Sequence, residues 1–128
     1  MSNVLGVGID LVSISEIKEL DEKTNGAFVK HTFTEKEREE SERAPKLYEF
    51  LAGRFAVKEA VFKAINGSFP DAEFDFRGVE TIKLPNGAPK FVANEELLKI
   101  LETIGASEIK ISISNQDDYA IAIAEVIE

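Results

Sequence analysis

No cysteine occurs in the 128 residues, which excludes disulfides and thiolate metal sites. The single histidine, His31, leaves no multi-histidine metal centre within one chain. No apolar run approaches the roughly 18 residues that a bilayer-spanning helix needs. Residues 1–12 carry neither a basic n-region nor a cleavage site, so no membrane partner is expected and a cytoplasmic protein is the natural expectation. Positive charge is scarce: 15 Lys and Arg face 24 Asp and Glu, for a net charge of −9. Such a surface is a poor partner for nucleic acid, and a local cluster of cations stands out against it. What remains is ordinary for a soluble globular chain, with 44% hydrophobic and 30% charged residues and length for one domain, residues 1–128, around one core.

The stretch Phe50–Ile65 reads as a long helix that begins near Pro45 and ends at Asn66-Gly67, roughly 30 Å at about 1.5 Å per residue. At helical spacing Gly53, Ala56, Ala60 and Ala64 share a narrow face that another backbone can approach closely. Phe50, Val57, Val61 and Ile65 lie beside it, and Leu51, Phe55 and Phe62 form a second bulky group. A helix this apolar belongs inside a domain, yet Glu59 lies between Phe62 and the small face. Burying a carboxylate costs several kcal/mol unless a cation compensates it.

Val4–Val12 reads as a buried strand. On one face Gly6 and Gly8 clear space for a packed element, and Asp10 projects at the edge of that space. Ser13-Ile14-Ser15-Glu16 and Thr34-Glu35-Lys36-Glu37 are capping boxes that open two charged helices. Asn66 to Arg77 is a loop. Val79–Leu84 is a strand joined by the hairpin Pro85–Pro89 to Lys90–Val92. Asn94 caps a helix that Gly105 ends, and Ile109–Ser114 with Tyr119–Ile127 form a last pair of strands around a turn at residues 115–118. The order β-α-α-α-β-β-α-β-β predicts a single compact α+β domain, a largely antiparallel sheet packed against the long central helix.

If that helix packs on the first strand through its small face, Asp10 and Glu59 meet. Two carboxylates with water describe a magnesium site that expects phosphate oxygens as further ligands. Arg43, Lys46, Arg54, Lys58 and Lys63 lie close by in sequence. Arg54–Lys58 and Glu59–Lys63 are both i, i+4 neighbours, and the bland alternative for these charges is a set of surface salt bridges.

At these same residues the chain resembles the holo-acyl-carrier-protein synthases, the small bacterial phosphopantetheinyl transferases. The resemblance rests on Gly6–Val12, Phe33-Thr34 with Glu37, the block Phe50–Ala64 with its Gly-Arg-Phe-Ala-Val-Lys-Glu-Ala core, Asn86–Pro89, Ser112–Ser114 and Tyr119-Ala120. It implies transfer of 4′-phosphopantetheine from coenzyme A to a serine of an apo acyl carrier protein, with release of adenosine 3′,5′-bisphosphate. The carrier would belong to fatty acid synthesis, a polyketide pathway or another acyl-carrier system. It also implies a homotrimer with coenzyme A in clefts between subunits. On this reading Asp10 and Glu59 hold Mg²⁺, and Lys63 neutralises phosphate oxygens as a catalytic cation. Glu59 is the candidate to take the serine proton. Lys46, Arg54 and Arg43 serve the other phosphates, and Pro89 lines the adenine region.

Two positions depart from the family pattern. Asn115 stands where the family has a histidine that contacts coenzyme A, which implies weaker binding of that ligand. Glu16 replaces an arginine that meets the acidic carrier, so the carrier is either less acidic than usual or contacted through Lys18, Lys30 and Lys36. These departures keep open an alternative, a relative that binds coenzyme A or a carrier without efficient transfer.

Overall fold

In the computed structural model, which describes residues 2–128, helix α4 (Leu47–Asn66) lies across strand β1 (Val4–Ser13). Glycine makes the approach feasible. A Cβ on Gly6 would collide with the carbonyl oxygen of Ala64, and one on Gly8 with the carbonyl of Ala60. The glycine-cleared strand face therefore meets the small face of the helix backbone to backbone, as the spacing predicts. Behind this contact Leu51, Val57, Val61 and Ile65 are fully buried with Ala52, Ala56, Ala60 and Ala64. Each large aliphatic side chain withdrawn from water in this way contributes about 1.5–3 kcal/mol.

Between β1 and α4 come three short helices, α1 (Ile14–Lys23), α2 (Ala27–Thr32) and α3 (Glu35–Arg43). Strands β2 (Val79–Lys83) and β3 (Pro89–Ala93) form a two-stranded antiparallel ribbon. Helix α5 (Glu95–Thr103), capped by Asn94 and followed by Gly105 at φ 78°, leads to β4 (Glu108–Gln116) and β5 (Tyr119–Ile127). The main sheet has the order β1-β5-β4, antiparallel throughout, with Gly8 opposite Ala124 and Asp10 opposite Ala122. Ala120, Ala122, Ala124 and Val126 of β5 point into the core beneath α4. The architecture is the predicted α+β domain, with the strands divided between two antiparallel sheets.

Four local readings change. Strand β1 is not buried on both faces: Val7, Ile9 and Leu11 are 57%, 55% and 62% exposed on the side away from α4. Helix α4 begins at Leu47, two residues after Pro45, because Lys46 takes the extended N-cap conformation. The turn after β4 is tighter than predicted. Asn115 and Gln116 remain paired with Ala120 and Tyr119, and Asp117 enters the left-handed region at φ 54°. Only the Thr34–Glu37 capping box is complete. At Ser13 the side chain accepts from Glu16 N–H at 3.3 Å, and Asp118 instead takes the Ser15 N–H at 3.0 Å.

Candidate active site

Asp10 leaves β1 at the edge of the cleared face, and Glu59 and Lys63 leave α4 one turn apart on the side that overlooks it. The Lys63 ammonium donates to Asp10 Oδ1 and to the Ile9 carbonyl, both at 3.0 Å. Two of its three N–H groups are thereby used, and the third is left to point outward. The predicted helical pair Glu59–Lys63 is thus replaced by a bridge between strand and helix. Lys63 prefers Asp10 because the backbone contact at Gly8 brings that carboxylate within reach and supplies a carbonyl acceptor beside it.

Glu59 is half-buried, and its carboxyl is held above its ordinary value of 4.5. Burial is the main cause; the Asp10 charge adds to it, and Lys63 opposes it. A carboxylate that resists ionisation next to a second carboxylate is a place where a cation would be stabilised. The donors are hard oxygens, and among the described residues no third His, Cys, Asp or Glu joins them. That set suits Mg²⁺, which binds through one or two carboxylates and keeps its remaining positions for water and phosphate.

Arg54, Lys46 and Asn115 line one cavity of about 350 Å³ at the N-terminal half of α4, together with Pro45, Phe50 and Ile113. The Arg54 guanidinium lies 4.0 Å from the centre of the Phe50 ring, and its Nε is buried without a hydrogen-bond partner among the described residues. Stacking on a ring one turn away fixes the direction of the fork. Arg54 also borders a second cavity, of about 540 Å³, with Arg43, Lys36, Lys83 and the hairpin glycine Gly87. Pro89 is not brought to these residues. It opens β3 and lines a separate groove with Phe91, Ile109 and Ile111. Glu16 is exposed on the first turn of α1, and Lys18 lies 3.9 Å from Glu22.

Lys58 belongs neither to a surface pair with Arg54 nor to a phosphate cluster. It is fully buried, 2.8 Å from the equally buried Glu37. Its ammonium also donates to the carbonyls of Phe76 and Val79. The position carries a signal in the sequence: Lys58 falls at helical spacing from Leu51, Phe55, Phe62 and Ile65, a lysine on an apolar face. Its acidic partner, one glutamate among five in α3, has no comparable mark beyond its place in the capping box.

A glycine-packed strand and helix bring together two carboxylates and a lysine, and the N-terminal half of the same helix lines a cavity with Arg54 and Lys46; together they define a class, a small α+β protein with hard-oxygen donors and a separate cationic cavity on one helix. The chain belongs to the 4′-phosphopantetheinyl transferase superfamily, whose model matches residues 6–124. It is 38% identical over 121 residues to the holo-[acyl-carrier-protein] synthase of Clostridium kluyveri, covering 94% of this chain and 88% of that one. The corresponding synthase of Desulforudis audaxviator is 34% identical over 121 residues, with 94% and 91% covered. The crystal structure of the Neisseria meningitidis synthase superposes with a TM-score of 0.86 at 31% identity, over 97% of this chain and 98% of that one.

Proposed function

We propose that the protein is a holo-[acyl-carrier-protein] synthase that moves 4′-phosphopantetheine from coenzyme A to a serine hydroxyl of an apo acyl carrier protein. The serine oxygen forms a bond to the phosphorus that carries pantetheine. The bond from that phosphorus to the pyrophosphate bridging oxygen breaks, and adenosine 3′,5′-bisphosphate leaves with the electron pair. The observation that carries this reading is the convergence of Asp10, Glu59 and Lys63 where β1 crosses α4. It is supported by the named relatives and by the likeness to a Chronobacterium ammoniagenes synthase–CoA complex, with TM-score 0.83 at 29% identity over 94% of this chain.

Asp10 and Glu59 would hold Mg²⁺, which when bound supplies charge stabilisation to the transferring phosphate and the leaving bisphosphate. Lys63, with an N–H left for a phosphate oxygen, holds the transferring group beside the two acids. Glu59 takes the serine proton. Arg54 and Lys46 bind the remaining phosphates, with Arg43 beside them, and Asn115 donates a neutral hydrogen bond in the same cavity. Pro89, which lines a separate groove in one chain, would serve the adenine region only of a ligand held jointly with a neighbouring copy.

We also infer a cytoplasmic homotrimer with the site shared between subunits. Lys46 caps the N-terminal end of α4 and Lys63 lies in its last turn, about 25 Å further along the axis at about 1.5 Å per residue, so the two cations sit at opposite ends of the helix. A ligand that engages both ends is served most directly by two copies, one giving each end, and the exposed face of β1 offers the apolar surface to join them. No helix among the described residues is long and apolar enough to cross a membrane. Incubation with coenzyme A, Mg²⁺ and an apo carrier, followed by weighing the carrier, tests the reading. A gain of one phosphopantetheine is expected, and Glu59→Gln should abolish it while the circular dichroism spectrum is unchanged. Coenzyme A binding with no mass gain on any carrier would establish a non-transferring binder instead.

A further inference from the structure

The Lys58 ammonium is saturated by three acceptors, each on a different part of the chain: Glu37 of α3, the carbonyl of Phe76 in the 3₁₀ turn Phe76–Gly78, and the carbonyl of Val79 at the start of β2. Glu37 is saturated in turn. One oxygen accepts from Thr34 N–H at 3.0 Å as well as from Lys58, and the other accepts from Thr81 N–H at 3.0 Å. The two charged side chains of this knot are fully buried, and Lys58 adjoins Glu59 in sequence. Burial pushes the Lys58 ammonium down from its ordinary value, and the Glu37 charge opposes that. A buried ion pair is weak grounds for stability, because an apolar pair of similar volume often serves as well. Its retention here calls for another use.

Phe76 supplies it. While its carbonyl is held by Lys58, its ring stands edge-on to Phe55 at 6.1 Å and to Phe62 at 6.4 Å between centroids. Phe55 and Phe62 are the residues one turn before and one turn after Glu59 on the same side of α4. The Phe76 ring, with Phe74 packed on it at 6.5 Å and on Phe62 at 5.7 Å, therefore closes an apolar wall on the side of α4 from which, by helical spacing, Glu59 also leaves. Holding the carbonyl anchors the backbone from which the ring extends, and the packed rings around it leave few rotamers open.

We propose that Lys58 is a positioning residue: through Phe76 it holds the phenylalanine wall that orients Glu59, and it touches neither substrate nor metal itself. This inference rests on the transferase reading for its kinetic consequence. The pair is removed without leaving an unpaired buried charge by Glu37→Gln with Lys58→Met, and the ring alone is removed by Phe76→Leu, which keeps the carbonyl. The expected result for the neutral pair is a folded protein whose kcat falls roughly ten- to a hundredfold while KM for coenzyme A changes little. Phe76→Leu should do the same, and the combination should cost no more than either alone, because both act through one wall. Full kcat in either variant, or losses that multiply, would overturn the proposal. If the neutral pair fails to fold, Phe76→Leu decides the matter on the same kcat criterion.

A second readout needs no transfer. With 4-fluorophenylalanine in place of the nine phenylalanines, the resonance lost in Phe76→Leu marks position 76. It should shift or broaden in the neutral pair while the fluorines distant from the wall stay in place. An unmoved resonance overturns the proposal even if the wild-type protein proves unable to modify any carrier, the outcome that would overturn the transferase reading alone.

Discussion

At the scale of single residues, Glu59 has a cost that can be measured without substrate. Its folded pKa lies above the ordinary 4.5, from burial first and the Asp10 charge second. A carboxyl group with a raised folded value binds its proton more tightly in the native than in the unfolded state. Its contribution to stability is therefore fully present below about pH 4.5 and is lost as pH rises through the raised value. Glu59→Gln removes the ionisation and nearly preserves the shape. In metal-free buffer at neutral pH the variant should be more stable to urea than the parent, with the difference closing as pH falls toward 4.5. A parent as stable as the variant at neutral pH would contradict the assigned burial of charge. The same carboxylate that makes transfer possible is then a local weakness of the metal-free protein.

At the scale of elements, the site depends on one crossing. Asp10 reaches Lys63 because β1 touches the α4 backbone at Gly6 and Gly8, so a single methyl group at either glycine should separate the two halves of the site. Gly8→Ala places a Cβ inside the Ala60 carbonyl oxygen, and helix backbone cannot move aside as a side chain can. The expected loss is at least about 3 kcal/mol of folding stability, the upper end for overpacking, read as a fall in Tm. A variant that keeps the parental Tm would show that the elements do not meet as described. This crossing was legible in the sequence, since small residues at helical spacing and alternate glycines in a strand are both local patterns. So was the meeting of Asp10 with Glu59, which follows from the crossing. The Glu37–Lys58 pair was not, because its partners are 21 residues apart and only the folded chain brings α3 against α4. The choice of Asp10 over Glu59 by Lys63 was hidden for a related reason: helical spacing ranks neighbours within α4 and says nothing about a carboxylate from β1.

At the scale of the whole molecule, none of the described residues covers the outer face of the main sheet along Val7, Ile9 and Leu11 in a single chain. Ile9 stands opposite Ile123, Leu11 opposite Ile121, and Ser13 opposite Tyr119, so the exposed side chains of β1 adjoin an apolar row on β5. The apolar run Val4–Val12 reads as a buried strand, and in one copy only its α4 face is covered. The contradiction disappears if the second face is covered by further copies of the chain, as the proposed trimer requires. Ile9→Lys tests this, because position 9 is 55% exposed in the single chain and a lysine there meets no core residue. The folded subunit should survive with its secondary structure intact. Light scattering should find the parent at three times 14.2 kDa and the variant at 14.2 kDa. Coenzyme A binding, measured by calorimetry, should weaken in parallel, since in the proposed trimer Lys46 and Lys63 serve one ligand from two copies. A parent that is monomeric, or a monomeric variant that binds coenzyme A as tightly as the parent, would place the whole site within one chain and remove the need for assembly.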